Sequence, residues 1–245
     1  MKITSLQNSL VKSLANLKQK KYRDEKRLFL LEGIDLLNEA KKTNCIKQIL
    51  YVDKPPFTNE SIEFIEVTKE IIKKLSSQVT PGDFIAVCSF LDNESKLGNK
   101  VICLDGVQDP GNAGTILRSA LAFGFDEMLL SNTSLDIYND KFLRASKGSI
   151  FHMNIKRLDL KKELENRMNL NYQVITTAVS NCSKSYDEFK YEDKLCLVVG
   201  SEGQGISKEI FDLSPNSVHI PMSEMMESLN VGVAASIIMS KIFNK

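Results

Sequence analysis

Two runs of apolar residues, each leading into a glycine-containing loop, constrain the fold of this chain most strongly. Val101–Val107 reads VICLDGV, and Leu195–Val199 reads LCLVV immediately before Gly200. Such runs are typical of strands buried on both faces, as in a parallel sheet covered by helices. Further strands are predicted at Glu127–Ser131, Val174–Ala178 and Ser217–Met222, with helices at Thr115–Gly124 and Leu229–Phe243. The sequence therefore predicts an α/β fold with a largely parallel C-terminal sheet.

The N-terminal part of the chain alternates shorter segments of the same two kinds. Leucines at positions 6, 10, 14 and 17 recur at helical intervals and predict a helix that runs to about Lys20. Strands are predicted at Leu28–Leu31, Ile46–Val52, Ile62–Val67 and Phe84–Phe90, with helices at Gly33–Lys42 and Lys69–Leu75. A polar, turn-rich stretch, DNESKLGN, follows at 92–99. We therefore expect a smaller α/β domain over 1–92, a linker over 93–99 and a larger α/β domain over 100–245.

The distribution of charge is more informative than its sum. The chain has 32 Lys and Arg against 31 Asp and Glu, so net charge gives no indication of a nucleic-acid partner. Residues 1–27, in contrast, carry eight basic and two acidic side chains, a net charge of +6. A cluster of this kind can attract phosphate groups. The alternative is an ordinary solvated helix face.

The cysteines and the apolar segments bear on metal binding and on the cellular compartment of the protein. Five cysteines are scattered without a C-x-x-C pair, and the two histidines stand at no recognisable ligand spacing, so we expect no metal site. Dispersed cysteines inside apolar runs are typical of reduced thiols in the cytoplasm. The most apolar stretch, Leu229–Phe243, is too short to span a membrane and contains polar residues, so we expect no membrane segment.

Three places join a strand end to a loop or a helix start, which is where ligands bind in α/β sheets. The first is Asp109–Gly114, which enters a helix carrying Arg118. A helix start offers free N–H groups to an anion, and arginine can hold a phosphate or sugar oxygen. Alternatively, Arg118 pairs with a surface carboxylate.

The second and third places lie in the last fifth of the chain. Gly200–Gly205 reads GSEGQG, in an order that differs from the dinucleotide fingerprint G-x-G-x-x-G, so a nicotinamide or nucleotide enzyme is disfavoured. The third place is Ile220–Met222 followed by Glu227–Ala235, a helix start rich in small residues that permit close packing. The alternative to a functional role for Ser228 is that it simply caps the helix. Asn230, in contrast, needs a hydrogen-bond partner if it is buried.

Together and in this order, the three segments resemble the three motifs of the SpoU/TrmH family of RNA methyltransferases, within the SPOUT class. The matching residues are Asn112, Gly114, Arg118 and Ala120, then Gly200, Glu202 and Gly205, and finally Ile220, Pro221, Met222 and Glu227–Val231. Arg144–Ser149 is similar to another loop of the family. At the N-terminus, Ser5–Asn8, the basic cluster and Phe29–Gly33 are similar to the substrate-binding domain of one bacterial branch. The resemblance covers nearly the whole chain.

The resemblance implies S-adenosylmethionine-dependent methylation of a ribose 2′-hydroxyl in structured RNA, with 23S ribosomal RNA favoured over tRNA. It implies a knotted SPOUT-type catalytic domain, a ribosomal-protein-like N-terminal domain, and a homodimer that completes the active site. The implied catalytic or positioning residues are Asn112, Arg118, Glu202, Ser228 and Asn230. The implied cofactor-binding residues are Thr177, Ala178, Gly200, Gly205, Ile220, Met222 and Leu229. The implied RNA-binding residues are Lys20, Lys21, Arg23, Arg27 and Arg144.

One assignment that the resemblance carries conflicts with elementary chemistry. The family gives removal of the ribose proton to the arginine of the first motif, here Arg118, but arginine is normally a permanent cation. Orienting the 2′-hydroxyl and its neighbouring phosphate is the safer role. The loop Ser223–Met226 lacks the glycine common in the family, which puts its contacts with the cofactor in doubt. The alternative function is a family member that binds RNA without catalysis.

Overall fold

The computed structural model describes residues 2–92, 97–178, 183–226 and 228–244. The strands are β1 (Lys2–Ile3), β2 (Leu28–Leu31), β3 (Ile46–Tyr51), β4 (Glu63–Val67), β5 (Phe84–Ser89), β6 (Lys100–Asp105), β7 (Glu127–Leu130), β8 (Asn154–Arg157), β9 (Gln173–Thr177), β10 (Lys184–Ser185), β11 (Leu195–Gly200) and β12 (Asn216–His219). The helices are α1 (Ser9–Asn16), α2 (Lys20–Lys26), α3 (Ile34–Ala40), α4 (Lys69–Leu75), α5 (Pro110–Ala122), α6 (Asp140–Ser146), α7 (Leu160–Asn169), α8 (Lys208–Leu213) and α9 (Val231–Phe243), with a 3-10 turn at Ser149–His152.

The chain forms two compact units. The first consists of Met1–Asp92 together with Asp136–Phe151, and the second of Asn93–Leu135 together with His152–Lys245. In the first unit, the described strands form one sheet in the order β1-β4-β3-β5-β2. Because β5 runs antiparallel to both β2 and β3, while β3 and β4 run parallel, this sheet is mixed.

The first helix of this unit is shorter than the sequence predicted. Asn8 caps α1 by accepting a hydrogen bond from the N–H of Leu10 at 2.9 Å, so the helix begins at Ser9 and does not include Leu6. Val11, Leu14 and Leu17 pack into the core with strand residues and α4. The helix ends at Asn16, and Gln19 has an extended backbone conformation. The basic residues Lys20, Lys21, Arg23 and Lys26 then form a separate helix, α2.

The segment Asp136–Phe151, which the sequence analysis assigned to the C-terminal domain, packs within the first unit. Asp136 forms a 2.5 Å ion pair with the buried Arg23. The ring of Tyr138 stacks on that of Phe90, with 3.8 Å between ring centroids. The Tyr138 hydroxyl also accepts a hydrogen bond from the N–H of Leu91 at 2.9 Å. These contacts are made between residues far apart in sequence, so this segment is a structural part of the first unit.

The second unit confirms the predicted parallel sheet. Its described strands lie in the order β10-β12-β9-β11-β6-β7-β8, and every neighbouring pair is parallel. β11 is buried along its whole length, as expected for a strand covered on both faces. From β6 the chain adds β7 and β8 on one side and then crosses to β9 on the other. The strand order therefore reverses between β6 and β11, where open α/β sheets bind ligands.

A buried ionic cluster lies at the opposite, amino end of β6 and β7. The Glu127 carboxylate is fully buried and accepts an ion pair from Arg167 at 2.7 Å and one from Lys156 at 2.8 Å. Arg167 also pairs with Glu163 at 2.7 Å, one turn earlier on α7. Burial of such charges is tolerated only when they are paired and hydrogen-bonded, which is the case here. Across the described ranges, no helix has both the length and the apolar character needed to cross a membrane.

Candidate active site

The first motif is formed by the start of α5. The Asp109 side chain caps this helix by accepting the N–H of Asn112 at 2.7 Å, and Pro110 occupies the first turn, where its missing N–H is harmless. This cap places Asn112 in the first turn with its side chain half-buried. Arg118 lies further along the helix, is exposed, and has no hydrogen bond or ion pair to any residue that the structure describes. Its guanidinium is therefore free for a ligand.

The second motif is a tight loop that only glycine allows at its base. Ser201 and Gly205 pair with each other through two backbone hydrogen bonds of 3.0 and 2.9 Å. A Cβ atom on Gly200 would lie 2.1 Å from the carbonyl carbon of Gly205, which is far inside van der Waals contact. Gly205 itself has a φ of +68°. The loop therefore projects Glu202 from a rigid base.

The third motif meets the other two through side-chain amides. The Asn230 Oδ1 caps α9 by accepting the N–H groups of Gly232 at 3.0 Å and Val233 at 3.2 Å. Its Nδ2 donates to Asn112 Oδ1 at 2.8 Å, and Asn112 Nδ2 donates to Glu202 Oε1. Carboxylates only accept and backbone N–H groups only donate, so the partners at both ends fix the orientation of both amides. One chain of hydrogen bonds thus joins all three segments.

Close packing of α5 against α9 supports this hydrogen-bond chain. Gly232 is buried, and a Cβ atom placed on it would lie 3.3 Å from the side chain of Thr115. One turn further along, the hydroxyls of Ser119 and Ser236 are 2.7 Å apart. The small residues predicted to permit close packing do so here, and they hold the start of α9 against the start of α5.

The residues expected to bind the cofactor lie near the carboxyl ends of three neighbouring strands. Thr177 ends β9 and Ala178 follows it, Gly200 ends β11, and Ile220 follows β12. The Thr177 hydroxyl donates to the carbonyl of Val198 at 3.1 Å, which ties β9 to β11 at this edge. Met222 is half-buried and Leu229 is 37% exposed. Glu227, part of the third motif, lies outside the described residues, as do residues 179–182.

This edge of the sheet has the groups that an adenine-containing cofactor needs. The backbone amides of Ile220 and Leu229 make no hydrogen bond within the described ranges of the chain, so they can pair with polar atoms of a ligand. The side chains of Ile220, Met222 and Leu229 are apolar, which is the character that contact with the flat faces of a purine requires. S-adenosylmethionine fits these residues. Among the described residues, no group of three or more His, Cys, Asp or Glu could hold a metal ion.

The basic residues expected to contact RNA lie in the first unit and are not equivalent. Lys20 pairs with Asp24 at 2.5 Å at an exposed position, and Arg144 pairs with Asp140 at 2.8 Å at a half-buried one. Lys21 and Arg27 are exposed, and the Arg27 guanidinium lies 4.6 Å from the ring centroid of Phe90. Arg23 differs from all of these.

Arg23 is only 6% exposed and is committed to the protein interior. It donates to the carbonyls of Leu17 and Lys18 at 2.7 and 2.8 Å in addition to its pairing with Asp136. Because the Arg23 side chain is buried and four of its five N–H groups are already paired, it does not belong with the cations available to RNA. Nothing in the local sequence distinguishes it from its basic neighbours.

A cavity of about 680 Å³ lies in the second unit and was not predicted from the sequence. It is lined by the loops that follow β6, β7, β8 and β11, and Glu202 stands in its wall. The signal that could have found it is the polar residues directly after buried strands, such as Asn132 after β7. Loops at the carboxyl ends of parallel strands form ligand sites in many α/β folds.

Comparison with known proteins agrees with this geometry. The SpoU rRNA Methylase family matches residues 99–240, and the MRM3-like substrate binding domain matches residues 8–86. The chain belongs to the SpoU RNA methyltransferase family. It is an RNA methyltransferase that uses S-adenosylmethionine. The sequence-based assignment of family, fold class and cofactor is thereby confirmed.

Individual relatives extend over almost the full chain. The 23S rRNA (guanosine(2553)-2′-O)-methyltransferase RlmP of Bacillus subtilis is 32% identical over 240 residues, covering 96% of both proteins. The structure of an AdoMet-bound rRNA methyltransferase from Sinorhizobium meliloti superposes with a TM-score of 0.88 at 26% identity, covering 98% of this chain and 96% of the other. A TrmH-family protein from Porphyromonas gingivalis gives a TM-score of 0.87 at 28% identity, covering 97% and 98%.

Proposed function

We propose that this SpoU-family enzyme methylates a ribose 2′-hydroxyl of 23S ribosomal RNA. The observation that carries the proposal is the hydrogen-bond chain Glu202–Asn112–Asn230, with the guanidinium of Arg118, unpaired within the described ranges, on the same helix as Asn112. The relative RlmP, named as a 23S rRNA guanosine 2′-O-methyltransferase, supports the choice of RNA and of atom.

The proposed roles follow from the chemistry of the acceptor. A ribose hydroxyl is a weak nucleophile, so alignment and help with its proton are what the protein must supply. Bound S-adenosylmethionine supplies an electrophilic methyl group. Arg118, a permanent cation, orients the 2′-hydroxyl and holds the adjacent phosphate. The Glu202 carboxylate, oriented by Asn112, is the acceptor positioned for the proton that the hydroxyl loses. Ser228 supports the target nucleotide.

The division of labour in the chain is part of the same proposal. The first unit binds RNA through cations that include Lys20, Lys21, Arg27 and Arg144, since structured RNA is recognised mainly through its backbone and shape. The second unit holds the cofactor through Thr177, Ala178, Gly200, Gly205, Ile220, Met222 and Leu229. We further propose that this unit is knotted, that two copies form a homodimer, and that the enzyme works in the cytoplasm.

The test is transfer of a tritiated methyl group from S-adenosylmethionine to RNA that lacks 2′-O-methyl groups. In vitro transcribed 23S rRNA and in vitro transcribed tRNA are offered separately, and the labelled position is mapped by its resistance to alkaline cleavage. We expect label in 23S rRNA at one ribose. Label in tRNA alone would show that tRNA, and not 23S rRNA, is the substrate. Cofactor binding without transfer to either RNA would support a non-catalytic RNA-binding protein.

A further inference from the structure

The cavity of about 680 Å³ in the second unit lies where the strand order of the parallel sheet reverses. It opens at the carboxyl ends of β6, β7, β8 and β11, and most residues expected to bind the cofactor do not line it. Glu202, at the end of the hydrogen-bond chain described above, is shared between this cavity and the proposed active site. A ligand in the cavity would therefore adjoin the reacting ribose.

The walls of the cavity are preformed by hydrogen bonds. The buried Asp105 carboxylate accepts the N–H of Ser207 at 2.7 Å, which fixes the entry to α8. On the opposite side, Ser131 accepts the N–H of Gly106 at 3.0 Å, which fixes the loop after β7. The Ser207 hydroxyl is buried without a hydrogen-bond partner in the described chain.

Several polar side chains of the cavity have no partner among the residues that the structure describes. Asn132, Gln204 and Glu209 are exposed and make no side-chain hydrogen bond within the described ranges. Each comes from a different loop or helix start, so donors and acceptors converge on one space from three directions. Convergent polar groups in a concave site of this volume are typical of small-ligand recognition.

The charge of the cavity decides which part of an RNA could enter it. The described lining carries four carboxylates (Asp105, Asp159, Glu202 and Glu209) and one ammonium group (Lys161). This balance repels a phosphate and favours a neutral group rich in N–H donors. No set of three of these side chains could act as metal ligands in the part of the chain that the structure describes. A nucleobase is neutral and carries N–H donors, so it suits a cavity with this charge.

We propose that this cavity binds the extruded base of the target nucleotide, and that the base is guanine. This inference rests on the proposed function, because a nucleotide must leave its stack for its ribose to reach an enclosed methyl donor. Guanine presents two N–H donors, N1–H and the N2 amino group, beside the O6 acceptor. The Glu209 carboxylate can accept both donors, while the amide of Asn132 or Gln204 donates to O6.

The first experiment measures nucleoside binding without methyl transfer. The full chain is mixed with guanosine, inosine, adenosine, cytidine or uridine, and binding is followed by saturation-transfer NMR. Guanosine should bind most tightly, and inosine, which lacks only the N2 amino group, should bind about 10-fold more weakly. Glu209→Gln should remove the difference between guanosine and inosine. Equal binding of all five nucleosides, or none, overturns the proposal.

The second experiment measures transfer to 23S rRNA. Asn132→Ala, Gln204→Ala and Glu209→Gln should each lower kcat/KM for RNA by about 10- to 100-fold, with an unchanged KM for S-adenosylmethionine. Glu165→Gln, an exposed carboxylate on α7 with no partner in the described chain, is the matched control. A raised KM for S-adenosylmethionine in the cavity variants would make the cavity part of the cofactor site, and wild-type kinetics would leave it without a role in recognition; both overturn the proposal. Absence of transfer in the wild type, with guanosine still bound selectively, would instead refute only the proposed function.

Discussion

The side chains of Asn230 and Asn112 are hydrogen-bonded at 2.8 Å although they are 118 positions apart in the sequence. Asn230 therefore has two functions. Its Oδ1 caps the last helix, and its Nδ2 connects that helix to the first motif. A single substitution can separate the two.

Replacing Asn230 by Asp keeps an oxygen for the cap but removes the donor to Asn112. We expect the free energy of unfolding of Asn230→Asp to lie within about 0.5 kcal/mol of the wild-type value, because aspartate caps helices as well as asparagine. Methyl transfer should fall at least about 10-fold. Asn230→Ala should lose transfer and also about 1 kcal/mol of stability. Urea unfolding and the tritium assay measure the two effects.

The control for this pair is Asn8→Asp, which changes the cap of α1 in the first unit in the same way. It should leave both stability and transfer near the wild-type values. Full activity in Asn230→Asp would show that the hydrogen bond to Asn112 has no part in catalysis.

Gly200 and Gly203 belong to the same loop but differ in the space around them. A Cβ atom on Gly200 would meet the backbone at 2.1 to 2.3 Å, whereas one on Gly203 would meet nothing within 4 Å. We expect Gly200→Ala to lower the free energy of unfolding by about 1–3 kcal/mol and to weaken S-adenosylmethionine binding, measured by calorimetry. Gly203→Ala should behave like the wild type. Equal cofactor affinity in both variants would contradict the proposed cofactor site.

The exposed cations of the first unit should act through phosphate contacts. We expect Lys21→Ala to reduce by about 1 the slope of log affinity for 23S rRNA against log salt concentration. Filter binding between roughly 50 and 200 mM salt measures it. Lys190→Ala, in the second unit, is the comparison because its side chain is 90% exposed. An unchanged slope for Lys21→Ala would remove this lysine from the RNA surface.

The sequence predicted helices and strands correctly where apolar residues recur with a clear helical or strand period. The predicted bounds of β2 and α4 match the structure, because both segments contain enough apolar residues to show their period. Helix α7 was missed because Arg167 occupies a position that an apolar residue would normally fill. Its partner Glu127 is 40 positions away, so the pairing that makes this burial possible is invisible in the sequence.

The candidate site was predicted residue by residue from the resemblance, but its connections were not. The start of α5 was placed at Thr115, although Asp109 followed by Pro110 is a recognisable cap and first turn. Sequence spacing does not show that Asn112 joins Glu202 to Asn230, because the order of strands in the sheet brings these residues together. Long-range pairing is also why Arg23 was taken for a surface cation.

Arg118 should matter for transfer and not for folding, since it is exposed and has no partner in the described chain. We expect Arg118→Ala to lower the rate of transfer at least about 100-fold, with unchanged affinity for S-adenosylmethionine and an unchanged melting temperature. Arg118→Lys keeps the charge but loses the forked geometry and should recover only part of the rate. Parallel loss of cofactor affinity and transfer would indicate a structural role.

The buried Glu127 predicts how the stability of the enzyme depends on pH. Burial raises the pKa of its carboxyl, but hydrogen bonds from Lys156 and Arg167 outweigh burial, and the pKa lies below its usual value. A carboxyl whose pKa is lowered on folding contributes stability that is present above its unfolded pKa, about 4.3, and is lost as pH falls through the folded value. Glu127→Gln should therefore cost about 3–5 kcal/mol at neutral pH, and its deficit against the wild type should shrink as urea unfolding is repeated at lower pH. Glu165→Gln should follow the wild-type profile throughout, because this exposed carboxylate has no partner in the described ranges. A deficit for Glu127→Gln that stays constant from neutral pH down to about pH 3 would show that the ion pairs to Glu127 do not lower its pKa.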